Sequence, residues 1–556
     1  MLLSGADIII RVLIEQGCDT VFGYPGAQIL NVYDSLYKYK DEINHILAAH
    51  EQGAAHAADG YARTTGRPGV VISTSGPGAT NLVTGIATAY LDSVPLVAIC
   101  GNVPTTSIGS DSFQEIDITG ITLPITKHNY FVGSVEQLAR TVREAFSLSM
   151  SGRPGPVLID VPKDVQEAMC EYKPLPPAKP EDKHPAKEIR IEEAAECINA
   201  SERPFIYFGG GVISGGAQAE MLELSEKIDA PLGCSMMGLS AIPTDCPGFL
   251  GMHGMHGHYA CTAAMQNADC IIALGVRFND RATVNRPKFA PKANVIHIDI
   301  DGSELSKTVP ALHGLRADVK LTLQRLIPKI QSAKHGEWRA LVDEFRKTEA
   351  EFEDNRPGLT PKAAILAVDR RLTPNTAVVT DVGQHQLWSA QYFNFRTPRR
   401  FVSSGGLGTM GFGLGAAIGA AYGTGERSVL ITGDGGFGMC LNELATAVTY
   451  KVPMTILIMN NGVLGMVRQW QTLFYNKHYS ETVLDRKTDF TALSRAFGAD
   501  GERVSDLEGL NAALDRAFAY DGVYVIDCAV DKDEFVLPML PPGGSVNEII
   551  TKKEEE

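Results

Sequence analysis

Nine short apolar runs in this chain each stop at a turn and give way to a helical stretch. Thr20–Gly26, Gly69–Thr74 and Val94–Cys100 lie in the first third. Pro204–Phe208, Cys270–Leu274 and Val295–Ile300 lie in the second, and Ala377–Thr380, Ser428–Ile431 and Met454–Met459 in the last. A strand that is apolar on both faces must be covered on both faces, as in parallel sheets flanked by helices. The expected fold is therefore α/β, with three doubly wound parallel-sheet domains. Such sheets bind ligands at the carboxyl ends of their strands, so chemistry is expected in the loops just after them.

Two stretches separate the thirds. Glu171–Arg190 carries prolines at 174, 176, 177, 180 and 185 among charged residues, which resists helix and sheet and reads as a surface linker. Ser332–Leu359 contains a charged amphipathic helix, Trp338–Phe352, stopped by Asn-Arg-Pro-Gly at 355–358. The domains are placed at 1–170, 190–335 and 355–545. A chain of 556 residues can bury three such cores.

With 21% charged and 44% hydrophobic residues, disordered, collagen-like and coiled-coil classes are excluded. The net charge of −15 comes without a long basic run, which argues against a nucleic-acid partner. Ten scattered cysteines without a Cys-x-x-Cys argue against a disulfide framework or zinc site and fit a reducing compartment. No basic leader opens the chain, and no apolar run reaches ~18 residues. A cytoplasmic protein without a membrane partner is expected, with a frayed charged tail at Thr551–Glu556.

The most informative constellation is in the last third. The run from Ser428 ends at Gly433-Asp434-Gly435-Gly436, a helix is expected over Leu441–Tyr450, and the run from Met454 ends at Asn460-Asn461. A strand-helix-strand crossover brings both run ends to one sheet edge. A carboxylate and an amide carbonyl are hard oxygen ligands suited to Mg²⁺, which fills its octahedron with phosphate oxygens and water. Glycines beside them let backbone approach a phosphate. The reading is a Mg²⁺-diphosphate site with Asp434 and Asn461 as ligands; the structural alternative is a glycine turn plus a turn-forming Asn pair.

This pattern resembles the diphosphate motif of thiamine diphosphate enzymes, and two distant stretches agree with that family. In Ile46–Arg63, Glu51 matches the glutamate that hydrogen-bonds the cofactor's aminopyrimidine and favours its imino tautomer. By itself Glu51 also reads as an acid at a helix start. In Ser403–Gly413, the resemblance gives Gly408 a carbonyl contact with the aminopyrimidine and makes Met410 the prop of the bent cofactor.

Over residues 2–550 the resemblance narrows to the acetolactate synthase (acetohydroxyacid synthase) large catalytic subunits. It is carried by Ser75–Asn81, Asp111–Glu115, Ile125–Asn129, Ser151–Pro156, Asp160–Asp164, Gly254–Gly257, Gly275–Arg281, Asp381–Gln386 and Gly465–Trp470. It implies pyrimidine-binding, central FAD-binding-like and diphosphate-binding domains in that order. Gln384 and His385 then match diphosphate contacts, Val463 a backbone metal ligand, and Gly433, Gly435, Gly436 and Met466 further cofactor contacts. Phe113, Gln114 and Lys163 match the substrate entrance. Arg281 matches the arginine that holds the second 2-ketoacid's carboxylate, and Trp470 the tryptophan that favours 2-ketobutyrate. Read without the family, they are a surface ion pair with Asp280 and core packing.

For FAD, in a non-redox role, the matching residues are Arg153, Gly209, Gly210, Gly211, Met255, His256, Gly275, Arg277, Asp299, Ile300 and Asp318. The chain departs from the family at Asn279, where Asp is common, and at Gly415, where Pro is usual. Gly436 stands where Ser is frequent, and Leu387 where Met is.

The implied activity decarboxylates pyruvate on thiamine diphosphate and transfers a hydroxyethyl unit to pyruvate or 2-ketobutyrate, the first common step of branched-chain amino-acid biosynthesis. The implied assembly is a homodimer or higher, with Glu51 and Asp434 meeting across the dimer, and a small regulatory subunit. A pyruvate oxidase using the same two cofactors, a simple decarboxylase and a non-catalytic paralogue are the alternatives. The last would lack Glu51, Asp434 or Asn461, and all three are present.

Overall fold

The computed structural model describes residues 1–552, so the expected fraying of the tail lies, for 553–556, outside them. Three six-stranded sheets follow one another along the chain, and every pairing within them is parallel. All nine apolar runs are strands, with ends shifted by only a few residues; Ser428–Ile431, for instance, extends to Gly433. Their side chains are almost all buried on both sheet faces, which is why the runs carry no polar alternation.

In the third sheet, Ser428–Gly433 lies between Ala377–Thr380 and Met454–Asn460. The register pairs Gly433 with Met459. Residues 434 and 461 thus leave two neighbouring strands at the same edge. The helix expected over Leu441–Tyr450 is Glu443–Thr449, and a further helix, Asp434–Cys440, precedes it and starts directly at the strand end. Gly435 and Gly436, which the structural alternative makes turn residues, are helical instead.

The stretch 172–187 is irregular, as its prolines dictate. At its margins Met169–Glu171 pairs with Leu2–Ser4, and a helix starts at Glu188. The charged helix runs over Gly336–Ala350.

First and third domains are sealed by one helix crossing. Glu51–Thr65 lies on Phe412–Thr424, and both are built mainly of Gly and Ala on the shared side. A Cβ on Gly419 would overlap the Ala57 carbonyl, and one on Gly60 the Ala416 carbonyl. Gly415 faces Gly53 so closely that a Cβ would stand 2.6 Å from its carbonyl oxygen. Backbone meets backbone here, so small residues set the distance. Gly419→Ala is expected to destabilise the protein by about 1–3 kcal/mol through overpacking, read as a lower urea midpoint at unchanged slope. A wild-type midpoint would mean the crossing can yield.

Candidate active site

Two cavities open at the strand ends. The smaller, about 70 Å³, belongs wholly to the third domain. It is walled by Gln384, His385, Met410, Gly433, Asp434, Gly435, Gly436, Asn461, Val463 and Met466, so the diphosphate-side residues read from the sequence meet in one cleft. Val382, Gly383, Trp388, Leu464 and Gly465 lie on its wall as well.

Asp434 is the first residue of its helix and only 7% exposed. Burial raises its carboxyl to about 6, against backbone N–H groups including that of Asn461, which favour the charged form. A carboxylate held where charge is disfavoured is prepared for a cation. Asn461 Oδ1 accepts the Val463 N–H at 3.1 Å, and its amide nitrogen faces Gln384 Oε1 at 3.4 Å. Gln384 itself donates to Gln469 Oε1 at 3.0 Å and to the Glu534 carbonyl at 2.7 Å. His385 is buried, its Nε2 has no protein partner, and burial lowers its pKa to about 4. An unpartnered ring nitrogen on the wall of a cleft is the mark of a missing polar ligand.

The sequence reading gives Asp381 no role of its own. In the structure it accepts the N–H groups of Val382 at 2.8 Å, Gly411 at 3.0 Å and Gly413 at 2.9 Å. It thereby fixes the turn that follows Met410. It also excludes a side chain at Gly436, whose Cβ would overlap its carboxylate.

The larger cavity, about 600 Å³, lies among all three domains. Its walls include Arg153, Gly210, Gly211, Met255, His256, Gly275, Arg277, Arg281, Asp299, Ile300, Gly408, Met466 and Trp470. Asp92, Ser93, Tyr207, His253 and Glu304 are walls that the sequence reading missed. Arg277 is held below the usual arginine range by burial and by the neighbouring Arg153. Burial raises Asp299 to about 6 and lowers His256 to about 4, and His256 Nε2 is buried without a partner. Arg281 lies 5.7 Å from the Trp470 ring centre, while its distance to Asp280 is 3.9 Å. Both partnerships therefore coexist.

Two expected FAD contacts lie off this wall. Gly209 precedes the helix Gly210–Gly215 and packs against Gly275, and Asp318 caps Val319–Leu326 through the Leu321 N–H at 2.9 Å. The structure gives both a structural task instead of a place on the cavity wall. Asn279 likewise caps a short helix, accepting the Ala282 N–H at 2.9 Å, a task that Asn performs as well as Asp.

Glu51, Phe113, Gln114 and Lys163 line neither cavity of their own chain. Glu51 opens its helix, and its Oε2 accepts from Asn81 at 3.0 Å. Phe113 is 81% exposed.

Among the described residues no helix is long and apolar enough to cross a membrane. Three family models match the chain. They are the N-terminal TPP binding domain of thiamine pyrophosphate enzymes at 3–121, the central domain at 191–326, and the C-terminal TPP binding domain at 381–528. Among curated proteins, the acetolactate synthase isozyme 2 large subunit of Escherichia coli is 43% identical over 99% of this chain and 100% of its own length. The isozyme 3 large subunit of the same organism is 40% identical over 100% and 99%. An acetolactate synthase of Mycobacterium bovis is 44% identical over 98% and 91%.

Proposed function

The chain belongs to the acetolactate synthase large subunits of the thiamine diphosphate enzymes, and from that premise we propose how its residues divide the work. The activity joins two 2-ketoacids with loss of CO₂, giving 2-acetolactate from pyruvate. The pyruvate oxidase alternative is not favoured, since these relatives are named synthases.

The smaller cleft takes the diphosphate and Mg²⁺. Asp434, Asn461 Oδ1 and the Val463 carbonyl are the metal ligands, and Gln384 and His385 the phosphate contacts. The carrying observation is that a buried carboxylate, an amide oxygen and an unpartnered histidine nitrogen share this cleft. When bound, thiamine diphosphate supplies the electron sink that decarboxylation of a 2-ketoacid needs. Glu51 holds or moves a proton at the aminopyrimidine, while Gly408 and Met410 orient it. The larger cavity has the size and the paired arginines, Arg153 and Arg277, for FAD, and the unpartnered His256 Nε2 fits a polar group of that ligand. Its role is structural, since carboligation is redox-neutral.

Glu51, Phe113, Gln114 and Lys163 complete the site of a second copy, so the active unit is at least a homodimer. The relatives' designation as large subunits supports a small regulatory partner.

Arg281 anchors the acceptor carboxylate and Trp470 packs against its alkyl chain. Arg281→Ala is expected to raise the acceptor KM about 10–100-fold, the worth of a lost charge-assisted hydrogen bond. An unchanged KM in initial-rate assays would return Arg281 to its Asp280 pair. The reading as a whole is tested on protein stripped of cofactors. Acetolactate that depends on thiamine diphosphate and Mg²⁺, with little oxygen uptake, supports it; acetate with oxygen uptake would make the protein an oxidase.

A further inference from the structure

One carboxylate of the first domain ends its side chain inside the third. Asp92 follows the helix Val83–Leu91, and its side chain is wholly buried. Its Oδ1 accepts the Gly406 N–H at 2.7 Å. Its Oδ2 accepts the Gly405 N–H at 3.1 Å and Arg63 Nη2 at 2.9 Å. Arg63 also pairs with Asp59, one helical turn earlier, and donates to the Ser403 carbonyl at 2.9 Å. The backbone of 403–406 is thus gripped at three points by a cation and an anion from another domain. Two residues further on lies Gly408, at φ +71°, and then Met410.

We propose that Asp92 is a positioning residue for thiamine diphosphate: through the Gly405 and Gly406 amides it sets where the Gly408 carbonyl and Met410 stand. This rests on the cofactor reading above. Within the third domain the loop is held by side-chain contacts of Ser403 and Ser404 with Thr380, Gln386 and Thr409. Those contacts fix its inner side. Asp92 fixes the outer side, where two consecutive glycines leave the chain most conformational freedom.

The chemistry requires a carboxylate. Two backbone N–H groups and a guanidinium all donate to it, and both oxygens are engaged. An asparagine would turn an NH₂ group toward at least one of these donors, leaving a buried donor unpaired. Arg63 would still have Asp59, so no cation is left uncompensated and the fold can persist.

The test titrates thiamine diphosphate with Mg²⁺ into cofactor-free protein by calorimetry, with FAD titrated separately. Asp92→Asn is expected to raise the thiamine diphosphate Kd about tenfold or more in protein without FAD. Gly406→Ala approaches the same contact from the other side. Its Cβ would stand 2.7 Å from Asp92 Oδ1 and 2.9 Å from the Leu91 carbonyl. It leaves every charged group in place, is expected to shift the Kd in the same direction, and decides the matter if the first variant does not fold. Asp369→Asn is the control. It removes a buried carboxylate hydrogen-bonded to Asn394, on the wall of neither cavity, and is expected to lower the melting temperature at unchanged Kd. Folded Asp92→Asn or Gly406→Ala protein with a wild-type thiamine diphosphate Kd would overturn the proposal. A weakened FAD Kd beside a wild-type thiamine diphosphate Kd would overturn it too, since Asp92 stands on the wall of the larger cavity as well. Wild-type protein that takes up no thiamine diphosphate would instead overturn the cofactor reading beneath it.

Discussion

Glu51→Gln is expected to lower acetolactate formation by about two to four orders of magnitude, the usual worth of a positioned acid-base group. The fold should persist. Glu443, buried and reaching across from the third domain, accepts the N–H groups of Ala49 at 3.1 Å and His50 at 3.0 Å. The backbone that presents residue 51 is thus held independently of its side-chain charge. Asn81 can donate to an amide oxygen as it does to the carboxylate. What disappears is the capacity to hold and release a proton. Steady-state rates, with cofactor uptake measured in parallel, check this. Turnover near wild type at full cofactor occupancy would remove Glu51 from the chemistry.

Asp434→Ala is expected to weaken retention of Mg²⁺ and thiamine diphosphate together, by about 100-fold or more, since changes merely behind a ligand already cost 10–100-fold. Turnover at ordinary cofactor concentration should fall with them. The side chain stands at the first position of its helix and faces the cleft. Alanine is also a good helix former. Metal analysis after gel filtration and calorimetric titration provide the readouts. Co-retention of metal and cofactor at wild-type levels would show that Asn461 and Val463 suffice, and would unseat Asp434.

The strands were legible because burial on both faces leaves an apolar run with no competing period. Asp434 and Asn461 were legible because polar residues that end such runs must sit at the sheet edge. The helix start at Asp434 was hidden, since Gly-Gly-Phe-Gly is a poor helical sequence by propensity; packing against Asp381 and the following strand overrides it. The carboxylates of Asp92, Asp381 and Glu443 escaped the reading because their partners are backbone N–H groups far along the chain, which leave no motif. Only Glu443 carried a signal, as the one charged residue of Leu441–Val448. The separation of Glu51 from its own chain's cleft was implied by the resemblance and not by spacing. Spacing along a sequence says which edge a residue reaches, not which of two neighbouring edges it faces.

The Gly- and Ala-lined helix crossing has a consequence for how the polypeptide is made. Glu51–Thr65 leaves the ribosome early, but its cover, Phe412–Thr424, follows only after the whole central domain. At ~5–20 residues per second, the first domain waits roughly twenty seconds to a minute with this stripe open to the surrounding solution. During that interval, nascent chains on neighbouring ribosomes present the same unsealed stripe to one another. Sealing of the stripe within one chain therefore waits until residues near 424 emerge.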